Sequence, residues 1–176
     1  MPQLADPNFR RSVVLVVHHD AESTFGLVLN REAELSMSEL CESLDLDWKG
    51  RSEWGVAWGG PVESSTGWLL FQDGLDVESE ADREGVLRIE GDLCFASSLD
   101  VLRRFARRPP QDLRVFLGYA GWGGGQLEIE LAQGAWVVAK ASSATVFDVP
   151  VERMWEHVLR EMNIDPVTLI STVGVH

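Results

Sequence analysis

Cysteine is scarce in this chain, with two thiols, Cys41 and Cys94, among 176 residues. Neither belongs to a C-x-x-C pair, and no cysteine–histidine spacing suggests zinc. That excludes a disulfide-stapled scaffold and fits a reducing cytoplasm, with both thiols as buried, inert residues. Long apolar runs are missing too. The longest fully aliphatic stretch, Val13 to Val17, falls far short of the roughly 20 residues that a membrane-spanning helix needs. Asp6, Arg10 and Arg11 stand where a signal peptide would carry its apolar region, so none is read. Basic charge is in deficit: Lys and Arg total 15 against 28 Asp and Glu, a net charge of −13. Phosphate neutralisation by basic side chains dominates nucleic-acid affinity, so no direct nucleic-acid partner is expected. The same charge argues against an anionic membrane surface and favours solubility.

Reaction signatures are absent as well. No G-K-[ST] follows the glycines, their order is not the dinucleotide fingerprint, and no G-x-S-x-G surrounds a serine. His18 and His19 are adjacent, and neighbours on an extended strand point to opposite faces, so they cannot chelate one metal together. No nucleophile, base and orienting group can be picked out together. The reading therefore assigns no catalytic residue, no metal and no cofactor.

What is present fits one domain over residues 1–176. Strands are expected at Ser12–His18, buried on both faces, and at Phe25–Asn30, Trp54–Trp58, Trp68–Phe71, Val86–Ile89 and Leu93–Phe95. Further strands are expected at Leu113–Leu117, Ala135–Ala139 and Thr145–Phe147. Ser36 with Glu39 forms a capping box, stapled by Leu35 and Leu40, that starts a helix at Met37. A second helix spans Ser98–Arg108, with Leu99, Leu102, Phe105 and Ala106 on one face and Pro109-Pro110 as its stop. Its Arg103, Arg104, Arg107 and Arg108 read as a solvated end that complements the helix dipole. Gln126–Gln133 reads as a short helix closed by Gly134. A last long helix is expected after Asp148 as cap, with Val151, Trp155, Val158, Leu159 and Met162 as its buried stripe. Residues 75–85 read as an acidic exposed loop. Strands arriving as hairpins with single helices inserted give an α+β domain with a mixed, mostly antiparallel sheet.

The densest local signal is residues 118–125, where five glycines fall within eight positions, broken by Tyr119 and Trp122. Glycine suits a backbone with positive φ, or one that something approaches closely. One reading is an anion cradle at the start of the helix at Gln126. The other is a tight structural crossover packed under the two aromatics. Gly59-Gly60-Pro61 poses the same choice, and both segments are expected near each other at strand ends. Gly59, Gly60, Pro61, Tyr119, Gly121, Trp122, Gly123, Gly125 and Gln126 are therefore the candidate lining of a ligand cleft.

Taken together, several motifs resemble the YqgE/AlgH family of bacterial proteins. They are Asp6-Pro7-Asn8-Phe9, Gly26 to Asn30, Gly59-Gly60-Pro61-Val62, Gly67, Gly118 to Gly123, Gly125 to Glu128, Gly134 with Trp136, and Phe147-Asp148 followed by Trp155. The resemblance covers essentially the whole chain. It implies a compact α+β fold whose sheet is bent and split into a pseudo-barrel with flanking helices, and a cytoplasmic location. Some members carry the label of transcriptional regulator, and no catalytic residues carry over. The resulting reading is a non-catalytic cytoplasmic binding or regulatory protein, whose partner is a protein or small ligand and whose oligomeric state stays open. The alternative is a small-ligand- or nucleotide-binding enzyme using loop 118–125. Thiol titration of denatured protein, kept from air, is expected to find both cysteines free; an intramolecular disulfide in cytoplasmic material would contradict the compartment.

Overall fold

The computed structural model describes residues 7–72 and 85–167. The acidic loop expected over 75–85 falls almost wholly outside them, as does Asp6. Among the described residues, eight strands and five α-helices follow a 3-10 turn at Pro7–Phe9. β1 (Val14–His19) and β2 (Ser23–Val28) form a hairpin. The Asp20 carboxylate closes its turn, accepting from the Glu22 and Ser23 amides and facing His18. These bonds, the one from the Ser23 amide first, hold its pKa down at about 2. β3 (Glu32–Ser36) leads into α1 (Met37–Ser43) through the expected capping box. Ser36 accepts from the Glu39 amide, and Glu39 accepts from the Ser36 amide. β4 (Gly55–Trp58), β5 (Val62–Gln72), β6 (Val86–Glu90), β7 (Leu93–Ala96) and α2 (Leu99–Arg107) follow. Then come β8 (Leu113–Gly123), α3 (Gln126–Ala132), α4 (Ser143–Phe147) and α5 (Val151–Glu161).

The strand order is β1-β2-β8-β5-β7-β6, with β3 on β4 and β4 on β8. Among the described strands only the β4–β8 pair is parallel. β8 is the spine. One of its edges carries β5; the other is shared, β4 pairing at Phe116 and Leu117 and β2 at Ala120 to Gly123. The sheet curls strongly. β2 and β7 stand three strand spacings apart, about 14 Å in a flat sheet, yet the Phe25 and Phe95 ring centroids are 5.8 Å apart. Leu15, Leu27, Leu70, Leu93 and Phe116, from five strands, share one buried cluster inside this curve, capped by Val146 of α4 and Met154 of α5. A second cluster packs α1 and α2 on the sheet through Met37, Cys41, Val101 and Phe105. A third gathers Val28, Ala120 and Trp122 under Phe9, Leu127 and Trp136. The fold is thus a mixed α+β domain whose mostly antiparallel sheet nearly closes into a barrel, as expected.

Several local expectations change. The strand read as Leu113–Leu117 continues to Gly123, so most of the glycine-rich segment is sheet, not loop. Its glycines give neighbouring strands room, and ladder pairing with β2 and β5 holds it extended. β1 is not buried on both faces: it lies at the sheet edge, and Val16 is 40% exposed. Residues 135–142 form no strand: they run irregularly past β1, and no described strand pairs with them. Thr145–Phe147 is helical, since Ser142 caps the Thr145 amide and local capping overrides β propensity. Asp148 ends α4, and Pro150 takes the cap position of α5. Leu99 leaves the buried stripe of α2 and Val101 joins it; at 100° per residue Leu99 sits about 90° from the stripe's centre. Met154, missing from the expected stripe of α5, is fully buried.

Three residues, Gly59-Gly60-Pro61, carry the chain from β4 on one edge of β8 to β5 on its other edge. The connection passes directly over the β8 backbone. A Cβ on Gly60 would lie 2.1 Å from the Tyr119 carbonyl carbon, and one on Gly118 would lie 2.3 Å from the Gly60 oxygen. Gly118 also has φ 71°, in the left-handed region. There the side-chain alternation of β8 slips: Leu117 packs on the α1–α2 cluster, whereas Tyr119, two residues on, packs on the interior one. Gly118→Ala is expected to cost at least about 2 kcal/mol, from left-handed strain plus the backbone collision. Gly123→Ala, with open space at its Cβ, should fall within about 0.5 kcal/mol of the parent on an exposed position. Denaturant midpoints at constant slope decide; equal midpoints for the two variants would contradict the crossing.

Candidate functional site

The glycine-rich segment is brought against Gly59-Gly60, but as packed backbone. Gly59 donates to the Leu117 oxygen and accepts from the Val28 amide, each at 2.8 Å. Gly121 is regular strand, with Tyr119 ring carbon 3.1 Å from where its Cβ would be. Pro61 is exposed, next to Val62, which pairs with Tyr119. Gly125 takes a left-handed φ of 73° and leads into α3. The Gly123 amide is already used, donating to Gln126 Oε1. Three cavities lie among the described residues with defined linings, and of the residues expected to line a cleft Trp122 borders one of these.

Glu130 explains the aromatic content of this region. Its Oε2 accepts from the Trp122 indole at 3.0 Å and from the Trp136 indole at 2.7 Å, while Oε1 accepts from Gln126. Phe9, Trp122 and Trp136 form a triangle of rings 5.8–6.2 Å apart. One carboxylate on α3 thus fixes β8, the helix and the chain beyond it.

The cavity that Trp122 borders is an apolar groove of about 260 Å³. Its walls are β1, α3, the irregular segment 136–142 and α5, with Val14, Val16, Trp136, Val138, Trp155 and Met162 among the lining. Val138 is 72% exposed. The Val28 amide bonds to Gly59 on the far side of β2, and the Val13 oxygen accepts from Leu29. Val14, opposite Val28, therefore belongs to a non-hydrogen-bonded pair. Its N–H and C=O, and those of Val16, face away from β2, and no described residue bonds to them. Side-chain lining and unpaired backbone meet at one place. The groove is not legible in the sequence, where 12–18 reads as a strand buried on both faces and 135–139 as another strand. The available signal was the unbroken apolar run Ala135–Ala139 beside a second such run.

Two polar arrangements complete the inventory. Thr24 Oγ1 lies 2.6 Å from His19 Nδ1, and His19 Nε2 lies 3.4 Å from Glu128 Oε1. This is the hydroxyl–imidazole–carboxylate order of nucleophilic catalysis, assembled from residues the sequence did not connect. Thr24, however, is only 4% exposed, and it does not line the groove at Trp122. The second is Arg114, which lines a cavity of about 230 Å³ with Glu32, Trp54 and Val151. Its guanidinium donates to the Leu29 and Val146 oxygens and stacks over Phe116. Burial pulls its pKa down to about 10, Glu32 acting in the opposite sense. It ties β8 to the end of β2 and to α4. Cys41 and Cys94 are free and buried, and burial raises both thiol pKa values, away from nucleophile chemistry. Replacing Glu130 by Ala orphans the buried Trp122 N–H and should cost about 1–3 kcal/mol, with a shift in tryptophan emission; an unchanged denaturation midpoint would show that the clamp carries no stability.

Comparison with known proteins agrees with this geometry. The model of the AlgH-like family matches residues 1–167. A UPF0301 protein of Myxococcus xanthus is 39% identical over 177 residues, covering 100% of this chain and 94% of its own length. One from Magnetococcus marinus is 36% identical over 172 residues, covering 97% of this chain and 89% of its own length. The solution structure of the AlgH protein from Pseudomonas aeruginosa superposes with a TM-score of 0.75 at 33% identity, covering 100% of this chain and 91% of that one. The crystal structure of protein DIP2367 from Corynebacterium diphtheriae shares the fold, with a TM-score of 0.73 at 23% identity, over 99% of this chain and 87% of that one. Matched along almost all of its length by family model, relatives and solved structure alike, the chain belongs to the AlgH-like, UPF0301 family.

Proposed function

We propose that this is a non-catalytic cytoplasmic binding protein. Its working surface is the groove between β1 and α5, and its ligand is an extended, apolar segment of a protein partner. The observation that carries this reading is the coincidence of apolar lining with an edge of β1 that no described strand pairs. Strand addition uses both at once: main-chain bonds supply affinity, and alternate side chains supply selectivity. Burial of Thr24 and of both thiols weighs against covalent catalysis. No helix among the described residues is long and apolar enough to cross a membrane. With a net charge of −13, any effect on transcription would run through a bound protein rather than through DNA contact. The competing reading, nucleotide chemistry at 118–125, finds less support, because that backbone is consumed by the crossing and by the Gln126 bond.

Peptides selected on the protein from a displayed random library are expected to be apolar and β-branched. They should bind at least about tenfold more weakly, or about 1.4 kcal/mol, to Val138→Asp. Selected peptides indifferent to both Val138→Asp and Val16→Asp would refute the groove as the binding surface.

A further inference from the structure

The cavity at Arg114 lies apart from the groove and shares no lining residue with it. β4 pairs with β8 at Phe116 and Leu117, and the cavity lies just before that point on β8. Met37, Trp54 and Val56 give it apolar walls, and Glu32, Glu53 and Arg114 are its charged members.

Two of these three charges are left unmatched. Glu53 is paired with Arg51, at 2.9 Å. Arg114 spends its described bonds on the main-chain oxygens of Leu29 and Val146, and among the described residues it forms no ion pair. A guanidinium fork holds more N–H donors than those two bonds use. Glu32, exposed on β3, likewise has no ion pair and no side-chain hydrogen bond among the described residues. The two charges act on each other, since Glu32 raises the Arg114 pKa against the effect of burial, yet they do not touch. A half-buried guanidinium has given up water without gaining a carboxylate, and such charges are normally paired.

The signs narrow the ligand. A phosphate or a plain carboxylate would meet Arg114 and be repelled by Glu32. A metal ion or a simple amine would meet Glu32 and be repelled by Arg114. A molecule carrying both charges a few bonds apart satisfies both. The volume of about 230 Å³ lies below the roughly 300 Å³ at which drug-sized pockets begin, so it suits a small metabolite rather than a nucleotide.

We propose that this cavity binds a free α-amino acid with an apolar side chain: the carboxylate on Arg114, the ammonium on Glu32, and the side chain against Met37 and Trp54. Arginine suits the first contact because its planar fork matches a carboxylate with two parallel bonds. The site is separate from the groove, so it stands or falls independently of the peptide-binding role given to that surface.

The test titrates the full chain with L-valine, L-leucine, L-isoleucine, L-methionine and L-phenylalanine, reading amide chemical shifts. Saturable shifts are expected at Gly55, Val115 and Val151, which border the cavity. The tightest binder is then compared with its N-acetyl form, which lacks the cation, and its amide, which lacks the carboxylate. Each should bind at least about tenfold more weakly, because a site built for both groups is left with one of its own unpaired. Glu32→Gln should weaken the amino acid to a similar extent and, being at an exposed position, keep the parent's spectrum away from the cavity. Arg114→Gln would also lose the bonds to Leu29 and Val146, so the amide form, tested on the parent protein, carries the Arg114 arm. Absence of saturable shifts with every one of these amino acids overturns the proposal, as do shifts confined to residues away from the cavity. Equal binding of the amino acid and either blocked form, or binding indifferent to Glu32→Gln, overturns it too.

Discussion

The structure depends on one close approach of two backbones. The chain needs three residues to pass from one edge of β8 to the other, and the shortest route lies across β8 itself. Strand backbones in a sheet sit about 4.8 Å apart, and a crossing chain needs a comparable clearance that a Cβ destroys. Here both partners lack one: Gly59 and Gly60 above, Gly118 below. The left-handed φ of Gly118 adds a second condition, since only glycine adopts it without strain. This crossing lets β4 and β5 flank the same spine, so the sheet can wrap around Phe116 and Leu70.

From that spine the rest follows by division of faces. The slip at Gly118 sends Leu117 towards α1 and α2 and Tyr119 into the interior, where it meets Phe25 and Trp68. Beyond it, Ala120 and Trp122 face α3 and Phe9. The Glu130 carboxylate then holds Trp122 and Trp136 together, and the chain leaving α3 is fixed at Trp136 but free of ladder bonds over the next residues. The same arrangement that closes one end of the sheet therefore leaves the outer edge of β1 without a strand partner among the described residues. The groove is the space left between an edge strand and a connector that has no register with it.

Elements governed by short-range chemistry were legible in the sequence. Ser36 and Glu39 satisfy each other's backbone partners within one turn, so the start of α1 could be read directly. The β1–β2 and β6–β7 hairpins need only polar or glycine-bearing turns between apolar runs. Gly134 ends α3 with the left-handed φ such ends require. The glycine clusters announced close backbone approach because no other residue permits it, and their meeting could be expected from that alone. The family was legible for the same reason, its motifs being largely the glycines and aromatics of the crossing and the clamp.

What the tertiary structure alone decided is which apolar run finds a partner. Val14–Val17 and Ala135–Ala139 carry the same strand signal, yet one became an edge and the other an irregular wall. Pairing depends on what stands beside a segment, and local composition carries no record of that. The same reason hid the Thr24–His19–Glu128 row, whose members meet only because β1, β2 and α3 converge. Residue chemistry fixed the caps, the turns and the crossing, which act over a few residues or exclude every side chain but hydrogen. The groove, being a space between elements distant in sequence, came from the packing.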